Sequence, residues 1–112
     1  MSDYRNSVVL VVVRDLLFSS KIRATAQSIG AAVHMLREPS QLSNAPGDRL
    51  IVDLNQPGAL DAAVAWKAAT GGEVVGFVSH VDSETIHSAQ NAGVDRVLPR
   101  SRFVQELPDL LR

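Results

Sequence analysis

The residue best placed to carry chemistry is Asp53, a carboxylate that ends the apolar segment Leu50–Val52. A short apolar run of this kind is typical of a strand that is buried on both faces of a parallel sheet. Pro57 and Gly58 follow closely and favour a turn into a helix. Sites of open α/β sheets lie at the carboxyl ends of the strands, so this segment would deliver Asp53 to the edge of the sheet where chemistry takes place.

Further polar side chains follow other predicted strands. They are Arg14 and Asp15 after the first strand, Ser79 at the end of the fourth and Arg100 after the fifth, while Asn55 lies two residues beyond Asp53. Because the carboxyl ends of parallel strands meet at one edge of a sheet, we expect these residues to converge on one pocket. Taken alone, Asp53 could equally cap the helix that follows it or pair with Arg14.

Five apolar segments are typical of strands in a sheet covered by helices on both faces. They are Ser7–Val13, Ala32–Leu36, Leu50–Asp53, Glu73–Ser79 and Val94–Pro99. Helices are predicted between and after them. The first is capped by Ser19 or Ser20 and ended by Gly30, the second has one or two turns at most within Glu38–Gly47, and the third spans Ala59–Thr70. The fourth is capped by Asp82 or Ser83, and the last starts at Ser101 and should be kinked or split by Pro108. This alternation predicts one α/β domain over residues 1–112, a flavodoxin-like doubly wound five-stranded parallel sheet in the order 2-1-3-4-5.

The composition suits a small aliphatic core. Apolar residues make up 46% of the 112 residues and aromatic residues only 4%, so Val, Leu, Ile and Ala must fill the interior. On the third predicted helix we expect Leu60, Ala63 and Val64 to share a face and Trp66 to be part of the core or a surface contact. The 11 basic and 12 acidic side chains leave a net charge of -1, which does not indicate nucleic-acid or membrane binding. We expect a cytoplasmic protein, because the N-terminus has no signal-peptide pattern and its apolar run is too short to span a bilayer.

Several classes of site are disfavoured by what the sequence lacks. The chain has no cysteine, which excludes thiol catalysis, disulfides and thiolate metal sites. No glycine-rich loop follows the first strand and no Gly-x-Ser-x-Gly motif is present, so dinucleotide or FMN binding and serine hydrolysis are not indicated. The spacing of His34, His80 and His87 matches no metal-binding motif.

With these residues in this order, the chain resembles bacterial response-regulator receiver domains over nearly its whole length. Asp53–Gly58 is similar to the family motif aspartate-leucine-x-x-proline-glycine, which implies that Asp53 is at the phosphoacceptor position. The resemblance further implies Mg²⁺ binding by Asp15, Asp53 and the backbone carbonyl of Asn55. Ser79 would be the switch hydroxyl, and Arg100 would replace the lysine that holds the phosphoryl oxygens. Hard oxygen ligands suit Mg²⁺, and cations stabilise a phosphoryl group in transfer.

The sequence departs from the family pattern at three positions. Arg14 stands where the first residue of an acidic pair is usual, and Val97 stands where an aromatic residue is frequent. Aligning Pro99 with the family's proline would place Leu98 at the lysine position and leave no cation there. The charges of Arg14, Asp15, Asp53 and Arg100 cancel, whereas a typical receiver pocket is negative. We therefore expect Mg²⁺ affinity to fall about a hundredfold or more, and Arg14 could also lie against Asp53 as a bidentate partner.

These observations favour a stand-alone, atypical receiver-like signalling module that is not an enzyme. We expect it to bind a protein partner, or a second copy as a homodimer, through its last two helices and the strand between them, independently of phosphorylation or with weak phosphorylation. The alternative is a functional two-component receiver that a histidine kinase phosphorylates on Asp53. A third hypothesis is an enzyme or small-ligand protein on the same fold.

Overall fold

Five short segments form the strands of one parallel sheet. The structure, a computed structural model, describes residues 8–43, 45–79 and 82–112. The strands are β1 (Val8–Val12), β2 (Ala32–Leu36), β3 (Arg49–Asp53), β4 (Glu73–Val78) and β5 (Arg96–Pro99). They pair in the order β2-β1-β3-β4-β5, and every neighbouring pair is parallel. The predicted fold and strand order are confirmed, while Ser7 and His80 lie outside the described residues.

Four α-helices connect or follow the strands in the described part of the chain. They are α1 (Leu16–Ile29), α2 (Ala59–Thr70), α3 (Ser83–Asn91) and α4 (Arg100–Leu110). Among its described residues, the link between β2 and β3 contains only a 3₁₀ turn, Pro39–Gln41, as predicted for a segment interrupted by prolines. No helix among the described residues has the length and apolar character needed to cross a membrane.

Of the two helices with a predicted N-cap residue, α1 starts earlier than predicted and α3 starts as predicted. Helix α1 begins at Leu16, before Ser19 and Ser20, because Asp15 is its N-cap and accepts hydrogen bonds from the N–H groups of Leu17 and Phe18. Asp82 caps α3 as predicted, accepting from the N–H of Glu84. The predicted cap at Ser19 was wrong because its hydroxyl donates to the carbonyl oxygen of Asp15, one turn back within the helix.

The last strand and helix also have shifted bounds. Strand β5 begins at Arg96, two residues later than predicted, because its parallel pairing with β4 starts there. Helix α4 begins at Arg100 directly after the strand, and it continues through Pro108 to Leu110. Pro108 therefore does not split the helix, since it lies in the last turn and removes a single intrahelical hydrogen bond.

The strands place alternate side chains in two cores, one on each face of the sheet. Helices α1 and α4 cover one face, where Phe18, Phe77 and Phe103 pack together. Helices α2 and α3 cover the other face, around Trp66. This division is the doubly wound architecture that the uninterrupted apolar strands predict, since strand side chains alternate between faces.

Trp66 belongs to the core rather than to its margin. Its side chain is fully buried, and its indole N–H donates to the carbonyl oxygen of Ala45 at 2.8 Å. Gly72 packs against the ring so closely that an added Cβ would lie 2.2 Å from it. Val64, which we expected on the same face as Ala63, is 37% exposed because the turn of α2 directs Ala59, Ala63 and Trp66 to the sheet.

Candidate functional site

The carboxyl edge of the sheet gathers the ionisable residues that the sequence singles out. Asp53 is the last residue of β3 and lies opposite Phe77 of β4. Asp15 follows the neighbouring strand β1 as the cap of α1, and Arg100 begins α4 immediately after β5. A guanidinium nitrogen of Arg100 lies 3.5 Å from Oδ2 of Asp15. Of the residues that the structure describes, the carboxylates of Asp15 and Asp53 and the guanidinium of Arg100 therefore meet at the predicted edge.

Asp53 is half-buried, and its surroundings favour the neutral carboxyl. Burial raises the pKa of Asp53 above its ordinary value, and the negative charge of Asp15 adds to this rise. The N–H of Asn55, which donates to Oδ1 of Asp53 at 2.9 Å, and the positive charge of Arg100 act in the opposite direction. Desolvation is the largest of these influences, so the net shift is upward.

Asp15 has the opposite electrostatic character. The hydrogen bond from the N–H of Phe18 is the largest influence on this carboxyl and lowers its pKa, and the N–H of Leu17 and the Arg100 guanidinium act in the same direction. Both N–H groups bond to the same oxygen, Oδ1, at 2.9 Å and 3.2 Å. Asp15 is thus an ionised helix cap that also pairs with Arg100.

Arg100 is the cation of this site. Its side chain is 39% exposed, and its guanidinium carbon lies 4.0 Å from the centre of the Phe18 ring while a nitrogen pairs with Asp15. Leu98, the residue that the other alignment would place at the lysine position, is buried in the core beside Phe77. The assignment of Arg100 to the lysine position stays a prediction.

Arg14 does not lie against Asp53, and this prediction is wrong. Its guanidinium pairs with Oε1 of Glu38 at 2.5 Å, on the side of the site where β2 ends. Strand β1 lies between β2 and β3, so a residue that follows β1 can turn toward either neighbour. Glu38 follows β2 by two residues and offers a half-exposed carboxylate there. Glu38 was not among the predicted site residues, although the predicted strand order places the end of β2 next to the end of β1.

Asn55 and Ser79 join the loops that follow β3 and β4. The side-chain Oδ1 of Asn55 accepts a hydrogen bond from the backbone N–H of Ser79 at 2.6 Å. Ser79 is exposed at the end of its strand. The side chain of Asn55 thus fixes the spacing of the two loops, while the metal contact of its backbone carbonyl and the switch role of the Ser79 hydroxyl stay predictions.

The donor atoms at this edge include oxygen ligands that a divalent ion could use. Carboxylate oxygens of Asp15 and Asp53 and a backbone carbonyl of Asn55 are the hard ligands that Mg²⁺ prefers. However, Asp15 already accepts two backbone hydrogen bonds and pairs with Arg100. Within residues 8–43, 45–79 and 82–112, no three acidic or histidine side chains come together as metal ligands could.

Comparison with solved structures identifies the fold. The beryllofluoride-activated receiver domain of DrrB, a Thermotoga maritima protein, superposes with a TM-score of 0.79 at 16% identity, over 93% of this chain and 92% of that chain. A Burkholderia pseudomallei response regulator, solved with a phosphorylated aspartic acid, calcium and citrate, has a TM-score of 0.79 at 15% identity, over 96% of this chain and 67% of that chain. The receiver domain of NarL from Mycobacterium tuberculosis has a TM-score of 0.78 at 18% identity, over 93% of this chain and 91% of that chain. No family model matches the sequence, and no curated protein is significantly similar to it.

The fold of this chain is therefore that of response-regulator receiver domains, as the sequence resemblance implies. At these identities the likeness shows the fold alone. Among the structural neighbours, Rcp1 was solved with Mn²⁺ bound, at a TM-score of 0.76 and 15% identity over 94% of this chain and 88% of that chain. The chemistry of the present chain has to be argued from its own residues.

Proposed function

We propose that this chain is a receiver-like signalling module that acts by binding a protein partner and that Asp53 is not phosphorylated, or only weakly, during its function. The observation that carries this proposal is the Asp15–Arg100 ion pair beside Asp53. A site for Mg²⁺ and a phosphoryl group needs carboxylates that are available to the metal. Here one of the two carboxylates is held by an internal cation and by the start of α1.

The electrostatic balance supports weak metal binding, but less strongly than the sequence indicates. The Arg14 and Glu38 charges neutralise each other, so the site itself carries the charges of Asp15, Asp53 and Arg100, which sum to -1. The carboxylate usual at the position of Arg14 is still missing. A divalent ion and a carboxylate about 6 Å apart attract each other by ~1.4 kcal/mol at the dielectric constant of water, which is about tenfold in affinity. With Arg14 neutralised by Glu38, the expected loss of Mg²⁺ affinity relative to a typical receiver pocket is about tenfold rather than a hundredfold or more.

The proposed contact surface is the face formed by α3, β5 and α4. Arg96 of β5 and Arg102 of α4 both pair with Glu106, at 2.8 Å and 2.6 Å, so this face carries an exposed ion-pair network. Such a network sets orientation and partner choice more than affinity. A protein partner or a second copy of the chain would bind here. We propose that the module is not an enzyme and that it acts in the cytoplasm.

Incubation with acetyl phosphate and Mg²⁺, followed by intact-mass measurement, tests the proposal. We expect no gain of a phosphoryl group beyond that of the Asp53→Asn variant, which cannot form a phosphoaspartate. A well-characterised receiver domain treated in parallel shows that the reagent is active. Stoichiometric phosphorylation that Asp53→Asn abolishes would contradict phosphorylation independence.

The second candidate is a receiver that a histidine kinase phosphorylates on Asp53. One observation favours it: Arg14 is held by Glu38, and the Arg100 cation near Asp15 and Asp53 would be available to phosphoryl oxygens. Beryllofluoride with Mg²⁺ separates the candidates without a kinase, because it mimics a phosphoryl group on aspartate. Amide shifts at Asn55 and Ser79 that Asp53→Asn abolishes would favour this second candidate.

A further inference from the structure

Phe18 contacts the cation of the site directly. Its ring is 4% exposed, and the Arg100 guanidinium carbon lies 4.0 Å from the ring centre. At this distance the positive charge is attracted to the negative face of the ring. Arg100 is therefore held from two sides, by the ring of Phe18 and by the carboxylate of Asp15.

Both of these contacts come from the start of α1. Asp15 is the N-cap of that helix and Phe18 lies in its first turn, where its N–H bonds to the same carboxylate. Arg100 is the first residue of α4. One side chain of α4 thus bridges the carboxyl edge of the sheet to the beginning of α1.

The aromatic cluster continues from this contact into the core. Phe18 packs edge-on against Phe77 with ring centres 5.2 Å apart, and Phe77 stacks on Phe103 at 4.5 Å. Phe77 is the β4 residue opposite Asp53, and Phe103 lies one turn after Arg100 in α4. The ring of Phe18 is consequently fixed by its neighbours and offers a rigid surface to the guanidinium.

We infer that Phe18 is a positioning residue, which anchors the Arg100 guanidinium beside Asp15 and thereby fixes the first turn of α4 to the Asp53 edge of the sheet. This inference rests on the proposed function, because a module that works without phosphorylation needs its contact helix held by the chain itself. The internal cation supplies that link. Arg100 joins α4 to the site through contacts with Phe18 and Asp15 of the same chain.

Nuclear magnetic resonance of the whole chain, without metal or phosphodonor, tests the link. In the unmodified protein, the ring current of Phe18 should shift the Arg100 Nε–H proton upfield. Phe18→Leu should return that proton toward its random-coil position. It should also speed hydrogen exchange at the amides of Phe103 and Val104, which close the first turn of α4, by about two- to fivefold.

Ile22→Val is the matched control. Ile22 is fully buried on the same face of α1, one turn after Phe18, and the substitution removes a comparable volume without touching Arg100. We expect it to leave the Arg100 signal and the exchange at the start of α4 unchanged. In an Arg100→Met background, Phe18→Leu should cause no further acceleration, since the guanidinium that it holds is absent.

Three results would overturn the inference: an Arg100 proton at its random-coil position in the unmodified protein, equal acceleration by Ile22→Val, or an undiminished effect of Phe18→Leu in the Arg100→Met background. None of these measurements involves phosphorylation. Phosphoryl transfer to Asp53 in the acetyl phosphate experiment would contradict the proposed function and leave the measured Phe18–Arg100 contact as it is.

Discussion

The Arg14–Glu38 ion pair gives a quantitative prediction for divalent cations. If Glu38 neutralises Arg14, replacing both residues by glutamine leaves the charge near Asp53 unchanged. We therefore expect Arg14→Gln/Glu38→Gln to bind Mg²⁺ within about twofold of the unmodified protein. Arg14→Asp/Glu38→Gln instead adds one carboxylate and should bind about tenfold more tightly.

The magnitude separates two geometries. If the Arg14 charge acted on the site without compensation, its replacement by a carboxylate would change the local charge by two units and the affinity by about a hundredfold. With Glu38 paired at 2.5 Å, only the added carboxylate counts. Both variants keep Glu38→Gln, so no unpaired Glu38 charge enters the comparison.

The assay is a titration with Mg²⁺ at constant ionic strength, in which the chemical shift of the Asn55 amide is monitored. That amide donates to Asp53 and reports on its carboxylate. Asp53→Asn identifies signals that do not arise at the site. Constant ionic strength is needed because added salt screens exposed charges. An increase of tenfold or more in Arg14→Gln/Glu38→Gln would refute the neutral-pair reasoning.

Three further predictions concern stability, each measured by urea denaturation. Because the pKa of Asp53 is raised in the folded protein, its contribution to stability is present below the ordinary carboxyl pKa and is lost as pH rises through the folded-state pKa. Asp53→Asn should therefore raise the urea midpoint at pH 7 and change it less at pH 3. An equal change at both pH values would contradict this. Asp15→Ala removes the cap of α1 and should lower the urea midpoint more than Asp15→Asn, which can still accept the Leu17 and Phe18 hydrogen bonds. Equal losses would show that the charge of Asp15 matters rather than its role as a cap. Gly72→Ala should cost about 1–3 kcal/mol, because its Cβ would lie 2.2 Å from the Trp66 ring, and a neutral effect would mean that this ring can move.

The strands were predictable because their signal is local. Uninterrupted apolar runs such as Leu50–Val52 are buried on both faces whatever the details of packing, and alternation with helices restricts the connections between parallel strands. Helix ends were less predictable, because several polar residues compete for one cap. Asp15 and Ser19 can both accept the required hydrogen bonds, and the end of β1 at Val12 decides in favour of Asp15.

By itself, the sequence determined the flavodoxin-like fold, the strand order and the placement of Asp53 at the carboxyl edge, because these follow from the alternation of apolar strands with helices. Only the tertiary structure decided which charges pair. Arg14 lies one residue before Asp15, yet it pairs with Glu38, and the cation at Asp15 is Arg100, 85 positions further along the chain. Long side chains reach several neighbours, so their partners depend on the packing of strands and helices that are remote in sequence.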